Sequence, residues 1–137
     1  MKILLTTHGK MCEGIYDSYQ MIAGENDRIY TLQLDDKGID VYRKRLTNWL
    51  NKFELEDILI LCDLKGGTPF NESYIKYLEQ SDRIKVISGL NLPMLIEVGI
   101  MSSSNNNLVE MANLAVSIGK QGVQQIFEDN ENAEMEF

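Results

Sequence analysis

Four short runs rich in β-branched and aliphatic residues, KILLTT, RIYTLQL, DILILCD and RIKVISG, recur along the chain. Each is followed by a segment whose apolar residues fall at helical spacing. Strands that alternate with helices cannot be joined by tight hairpins. They require parallel pairing through right-handed crossovers, with helices covering both faces of the sheet. The run DILILCD is apolar throughout, as expected of a strand buried on both sides. The fold expected is therefore α/β, a doubly wound and mainly parallel sheet, and the simplest strand order is 2-1-3-4.

The helical segments carry their own stripes. Ile15, Tyr19, Ile22 and Ala23 share one face of the first, and Tyr42, Leu46, Trp49, Leu50 and Phe53 line the second. Phe70, Tyr74, Tyr77 and Leu78 do the same in the third. A short helix is expected over about residues 93 to 101, with Pro93 in its first turn, where a missing N–H costs little. After the polar loop SSSNNN, Asn107 can cap a helix over about residues 108 to 120, buried along Leu108, Met111, Ala112, Ala115 and Ile118. VQQIF reads as a short fifth strand. Residues 1–127 thus form one domain, and 128–137 an acidic tail without periodicity, expected to be disordered.

In a 2-1-3-4 order the winding direction turns between strands 1 and 3, which opens a crevice at their carboxyl ends where open α/β sheets bind ligands. His8, the only histidine, closes strand 1, and Asp63 closes strand 3. A carboxylate bonded to one ring nitrogen fixes the tautomer and stabilises a cationic ring, leaving the other nitrogen as base or nucleophile. GGTP follows Asp63 at the start of a helix. Gly66 and Gly67 allow close backbone approach, Thr68 offers a hydroxyl, and the helix N-terminus favours an anion. Such an assembly suits the receipt of a phosphoryl group on nitrogen and its onward transfer. Taken singly, each element has an ordinary structural role, the histidine as an incidental strand-end residue and GGTP as a turn. Their coincidence at the switch point carries the reading.

Other chemistries lack their patterns. LKGGTPF is not a P-loop, TTHG is not a GxGxxG dinucleotide turn, and no G-x-S-x-G elbow occurs. A phosphohistidine phosphatase or mutase would want arginine before the HG pair, where Thr7 stands. The net charge of −8 argues against nucleic acid as a partner, since backbone binding needs clustered Lys and Arg. Cys12 and Cys62 are far apart and show no ligand spacing, so neither a metal site nor a disulfide framework is readable, and no cofactor is expected. No other histidine exists to activate Cys12, which reads as a small helix residue. The start, MKILLTT, runs into a strand without a signal sequence, and no run approaches about 18 apolar residues. A cytoplasmic protein with reduced thiols is expected.

THGKMCEG, DLKGGTPFN and GLNLPML, at their spacing within a four-unit βα chain, resemble the IIA component of the mannose/fructose/sorbose family of the bacterial phosphoenolpyruvate-dependent sugar phosphotransferase system. The resemblance runs from Met1 to about Phe127. It implies a cytoplasmic phosphotransferase component, brought to the membrane only through its complex, whose histidine is phosphorylated by phospho-HPr and passes the group to the IIB component. Sugar is then phosphorylated by IIB during transport through the IIC and IID membrane components, which hold the sugar specificity. His8 resembles the phosphorylated histidine, reacting at Nε2, with Asp63 as its Nδ1 partner. Thr68 stands where the family places a hydroxyl beside the phosphoryl group, and Gly9, Gly66 and Gly67 stand in the loops around it. The family is a homodimer whose C-terminal strand crosses to pair antiparallel with the other subunit's sheet, which would give VQQIF a role. Lys65 replaces the usual aromatic residue and puts a cation at the rim; Cys12 replaces a small residue. Two alternatives remain at this point. One is the IIA-like phosphoryl donor to dihydroxyacetone kinase, disfavoured because no further carrier domain follows, and the other a regulatory module of the same fold that transfers nothing.

Overall fold

The apolar run Ile58–Cys62 forms β3, and each of its five residues is fully buried. A strand without a polar face has to be covered on both sides and flanked by other strands. The computed structural model describes residues 1–128, and in it β3 lies between β1 (Lys2–His8) and β4 (Ile84–Ser88), with β2 (Ile29–Leu34) beyond β1. All pairings are parallel, and the order β2-β1-β3-β4 is the one the alternating pattern predicts. The helices α1 (Met11–Ala23), α2 (Ile39–Lys52), α3 (Thr68–Glu79), α4 (Leu92–Met101) and α5 (Leu108–Gln121) complete the described elements.

Side chains alternate along β1, so one strand serves two cores. Ile3 and Leu5 pack with Cys12, Tyr19, Leu95, Val98, Met111 and Ala115 beneath α1, α4 and α5. Leu4 packs with Tyr42, Leu46, Leu50, Ile60 and Ile84 beneath α2 and α3. The helices are therefore on both faces. Helix starts follow the sequence cues. The Asn107 side chain accepts the Glu110 N–H at 3.0 Å, Asn91 accepts that of Met94 at 3.0 Å, and Pro93 sits in the first turn of α4. No helix among the described residues is long and apolar enough to cross a membrane.

Two expectations about helix faces are corrected, and VQQIF is not a strand in the single chain. In α1, Ile22 is 63% exposed, and the helix buries Cys12 and Tyr19 instead. In α3, Tyr74 and Leu78 face outward, whereas Ser73 and Glu72 turn inward. The inward polar groups are matched to partners: Ser73 meets the Cys62 thiol at 3.8 Å, and Glu72 takes Arg43 of α2 with Nε–Oε1 at 2.6 Å. Burying a carboxylate is tolerable only with such a partner. The segment VQQIF forms no strand within the single chain, and Val123, Ile126 and Phe127 are 79%, 72% and 68% exposed. A strand needs a ladder partner for its backbone groups, and within the single chain this segment pairs with none of the four described strands. The acidic tail from 129 onward lies outside the described residues.

Because Leu61 is fully buried in the middle strand, Leu61→Ala should cost about 2–5 kcal/mol of stability. Urea unfolding followed by circular dichroism measures this, with the loss appearing as a lower midpoint at unchanged slope.

Candidate active site

The ladder between β1 and β3 stops at Thr6 opposite Cys62, while β1 continues beside β2 to His8 opposite Leu34. The His8 N–H on the β3 side has therefore lost its ladder acceptor. Asp63, the next residue after β3, supplies one: its Oδ2 accepts the His8 backbone N–H at 2.9 Å and lies 2.8 Å from ring Nδ1. One carboxylate oxygen thus holds both the backbone and the ring of the histidine. An ionised carboxylate only accepts, so Nδ1 carries the hydrogen and Nε2 presents its lone pair. The His8 side chain is 49% exposed and that of Asp63 12%, so a largely buried carboxylate supports a half-exposed ring.

Beyond the ring stands the start of α3. A Cβ added at Gly67 would come within 2.6 Å of His8 Cε1 and 3.3 Å of Nε2, so the backbone there approaches as only glycine permits. Gly66 takes φ +87°, and the Asn71 side chain donates to the Gly66 carbonyl at 3.0 Å, closing the loop onto the first turn of α3. Gly67 is the N-cap of α3, Thr68 its first residue, and Pro69 lies in its first turn. The start of α3, with the unpaired N–H groups and positive dipole end that any helix N-terminus carries, therefore lies close to the Cε1–Nε2 edge of the ring. The structure brings His8, Asp63, Gly66, Gly67 and Thr68 to one edge, with Gly9 at φ +59° turning the chain out of β1. Asn71 was not singled out from the sequence, although it ends the block DLKGGTPFN; nothing local distinguishes it from a helix surface residue. Lys10 and Lys65 are exposed in the flanking loops, beside Met11 (45%) and Leu64 (61%).

The charge states follow from burial and hydrogen bonding. Burial pushes the Asp63 carboxyl up, but the hydrogen bonds from the His8 ring and backbone outweigh it, leaving Asp63 below its ordinary value. Asp63 is then an anion throughout the neutral range. Burial pushes the Cys62 thiol up to about 12 and raises Cys12 as well, so neither thiol competes as a nucleophile at neutral pH. Fold and geometry together define an open α/β domain with an imidazole–carboxylate pair facing a helix N-terminus at the switch point.

Residues 2–116 match the family model EIIA-man, described as PTS system fructose IIA component. The chain belongs to this family, the IIA components of the mannose/fructose/sorbose class. It is 26% identical over 126 residues to the PTS system mannose-specific EIIAB component of Escherichia coli (strain K12), covering 90% of this chain and 39% of that relative's length. The chain thus spans about two fifths of that protein. It is 28% identical over 107 residues to the PTS system sorbose-specific EIIA component of Lacticaseibacillus casei, covering 77% of this chain and 75% of the relative. Its fold superimposes on the mannose/sorbose specific IIA subunit from Enterococcus faecalis with a TM-score of 0.85 and 32% identity, over 92% of this chain and 94% of the other.

An Asp whose pKa is lowered on folding contributes stability that is full above its unfolded value near 4 and is lost as pH falls through the folded value. The stability advantage of the wild type over Asp63→Asn should therefore shrink progressively as pH is lowered below about 5. Urea midpoints of the two proteins across that range provide the check. An advantage that stays constant with pH would mean that Asp63 is not held ionised by His8.

Proposed function

We propose that the chain is a phosphocarrier of the sugar phosphotransferase system that accepts a phosphoryl group from phospho-HPr on His8 Nε2 and passes it to the IIB component. The observation that carries this is the single accessible imidazole, held through Nδ1 by Asp63, with Nε2 turned toward the start of α3. In the forward step the Nε2 lone pair attacks phosphorus. The P–N bond to the donor histidine breaks, and its electrons return to the donor ring. Phosphorylation makes the His8 ring cationic while Nδ1 keeps its hydrogen, and the Asp63 anion stabilises that charge. The phosphoryl oxygens meet the N–H groups at the start of α3 and the Thr68 hydroxyl. The reverse attack by a histidine of IIB releases the group. Met11 and Leu64, exposed beside the ring, offer apolar contact to a docking protein. The working location is the cytoplasm, with IIB and the IIC and IID membrane components as the downstream route to the sugar.

A homodimer fits the same reading. β4 is the edge of the sheet, and beside it a groove of about 260 Å³ runs between Phe70, Tyr74 and Tyr77 of α3 and Ala112 of α5. Val123, Ile126 and Phe127 are apolar and exposed in the single chain. Exchange of residues 123–127 between two copies would cover both surfaces and complete the edge, and exchanged elements are a low-cost route to symmetric dimers.

His8→Ala should remain folded and take up no phosphate from phosphoenolpyruvate, enzyme I and HPr, whereas the wild type gains one acid-labile, base-stable phosphate. Intact-mass measurement reads the difference. A labelled His8→Ala would place the chemistry elsewhere, and an unlabelled wild type would favour a regulatory module.

Chains ending at Gly122 and at Glu128 test the assembly by sedimentation. The longer one should be dimeric and the shorter one weakened or aggregated. Equal dimers from both, or a monomeric full-length chain, would remove the exchange.

A further inference from the structure

We propose that Thr7 is a positioning residue that sets the orientation of the His8 backbone, and through it the aim of Nε2. The inference rests on His8 being the phosphoryl acceptor. Alternation along β1 sends neighbouring side chains to opposite faces, so His8 meets Asp63 and the start of α3 while Thr7 points to the α1 side. Thr7 is fully buried there. Its hydroxyl donates to the Gly9 carbonyl at 3.2 Å and accepts the Cys12 N–H at 2.9 Å.

Those two bonds span the corner at which the chain leaves β1. The corner is His8-Gly9-Lys10, turned by Gly9 at φ +59°. Helix α1 begins immediately after it, and its N-cap residue Lys10 makes no side-chain cap bond. One of the unpaired N–H groups that every helix start presents, that of Cys12, is taken by Thr7 from inside the preceding strand. Thr7 therefore ties the first turn of α1 and the carbonyl of Gly9 to the end of β1. His8 is gripped on one side by Asp63, which takes its backbone N–H and its Nδ1, and on the other by a corner that Thr7 locks. The clearance beyond the ring is small, because the Gly67 backbone stands where even a methyl group would collide with Cε1. A corner free to rotate would swing Nε2 out of line with the start of α3, and misplacement by about 1 Å can cost as much as 100-fold in rate.

Two substitutions separate hydroxyl from volume. Thr7→Val keeps the shape and loses both bonds; Thr7→Ser keeps the hydroxyl and loses a methyl. The probe is potassium phosphoramidate, a small donor that needs no docking partner: its P–N bond breaks, ammonia leaves, and a P–N bond forms at Nε2. Labelling is followed by intact mass at a temperature where each variant is folded by circular dichroism. Thr7→Val should label about tenfold more slowly than wild type, and Thr7→Ser within about twofold of it. Packing alone predicts the opposite order, with Val the better substitute. Equal rates for wild type and Thr7→Val, or Thr7→Ser no faster than Thr7→Val, would overturn the proposal. Hydrogen exchange of the unaltered protein covers the case in which Thr7→Val does not fold: the Cys12 amide should be protected, and exchange at the rate of an open chain would overturn the proposal. Peptide mapping of the wild type distinguishes the underlying reading. Phosphate on a residue other than His8 overturns the acceptor assignment and this role with it, whereas failure of the Val and Ser contrast with phosphate on His8 overturns the role of Thr7 alone.

Discussion

The contact on which the site depends is a single carboxylate oxygen. Asp63 Oδ2 accepts the backbone N–H and the ring Nδ1 of His8, so the same anion ends the sheet ladder and orients the imidazole. It can do so because β1 outruns β3 by two residues in register, leaving a donor without a strand partner. A residue after β3 with a short acidic side chain fills that gap. The arrangement joins structural necessity to chemical use: the charge that satisfies the strand end is the charge that would stabilise a phosphorylated ring.

The surroundings keep that charge from being diverted. The α2/α3 side of the sheet carries a buried polar set in which the Thr6, Tyr42, Cys62 and Glu72 side chains each have a nearby partner, while Trp49 Nε1 of α2 has none. The Thr6 hydroxyl donates to the Leu32 carbonyl at 2.8 Å and shares a bond with the Tyr42 hydroxyl at 2.6 Å. Cys62 meets Ser73, and Glu72 meets Arg43. Burial pushes both the Tyr42 hydroxyl and the Cys62 thiol up, so they stay neutral at physiological pH. The buried set beneath Asp63 therefore adds one paired anion, Glu72, held by its own arginine. These paired groups tie α2 to β1 through Thr6 and Tyr42, α3 to β3 through Ser73 and Cys62, and α2 to α3 through Arg43 and Glu72.

Much of this was legible in the chain. Period-2 and period-3.6 patterns identified four strands and the helices between them, because a buried face must repeat at the period of its own backbone. The parallel order followed from right-handed crossovers, and with it the meeting of His8 and Asp63, which are 55 residues apart. The asparagine caps and the proline in the first turn of α4 were readable because they act within three or four residues of themselves. The faces of α1 and α3 were read with errors. Tyr74 and Leu78 look like core on spacing, and Glu72 looks like surface on charge; Arg43, 29 residues away, reverses the second of these. Asn71 and Thr7 were passed over as functional residues for the same reason, since their roles consist of bonds to backbone atoms that the sequence does not position.

The fold class, the strand order and the residues at the carboxyl edge were all readable from the order of the amino acids. These depend on patterns of burial and on handedness, which are properties of the backbone that any chain shares. That one oxygen of Asp63 serves both His8 donors, that Gly67 lies against the ring, and that Thr7 caps α1 from within the strand emerged from the packed fold. Those are distances of about 3 Å between residues brought together by different elements, set by how far one strand extends past its neighbour. The pattern of apolar residues specifies that two strands are adjacent, whereas the offset between their ends emerges only when every side chain is packed.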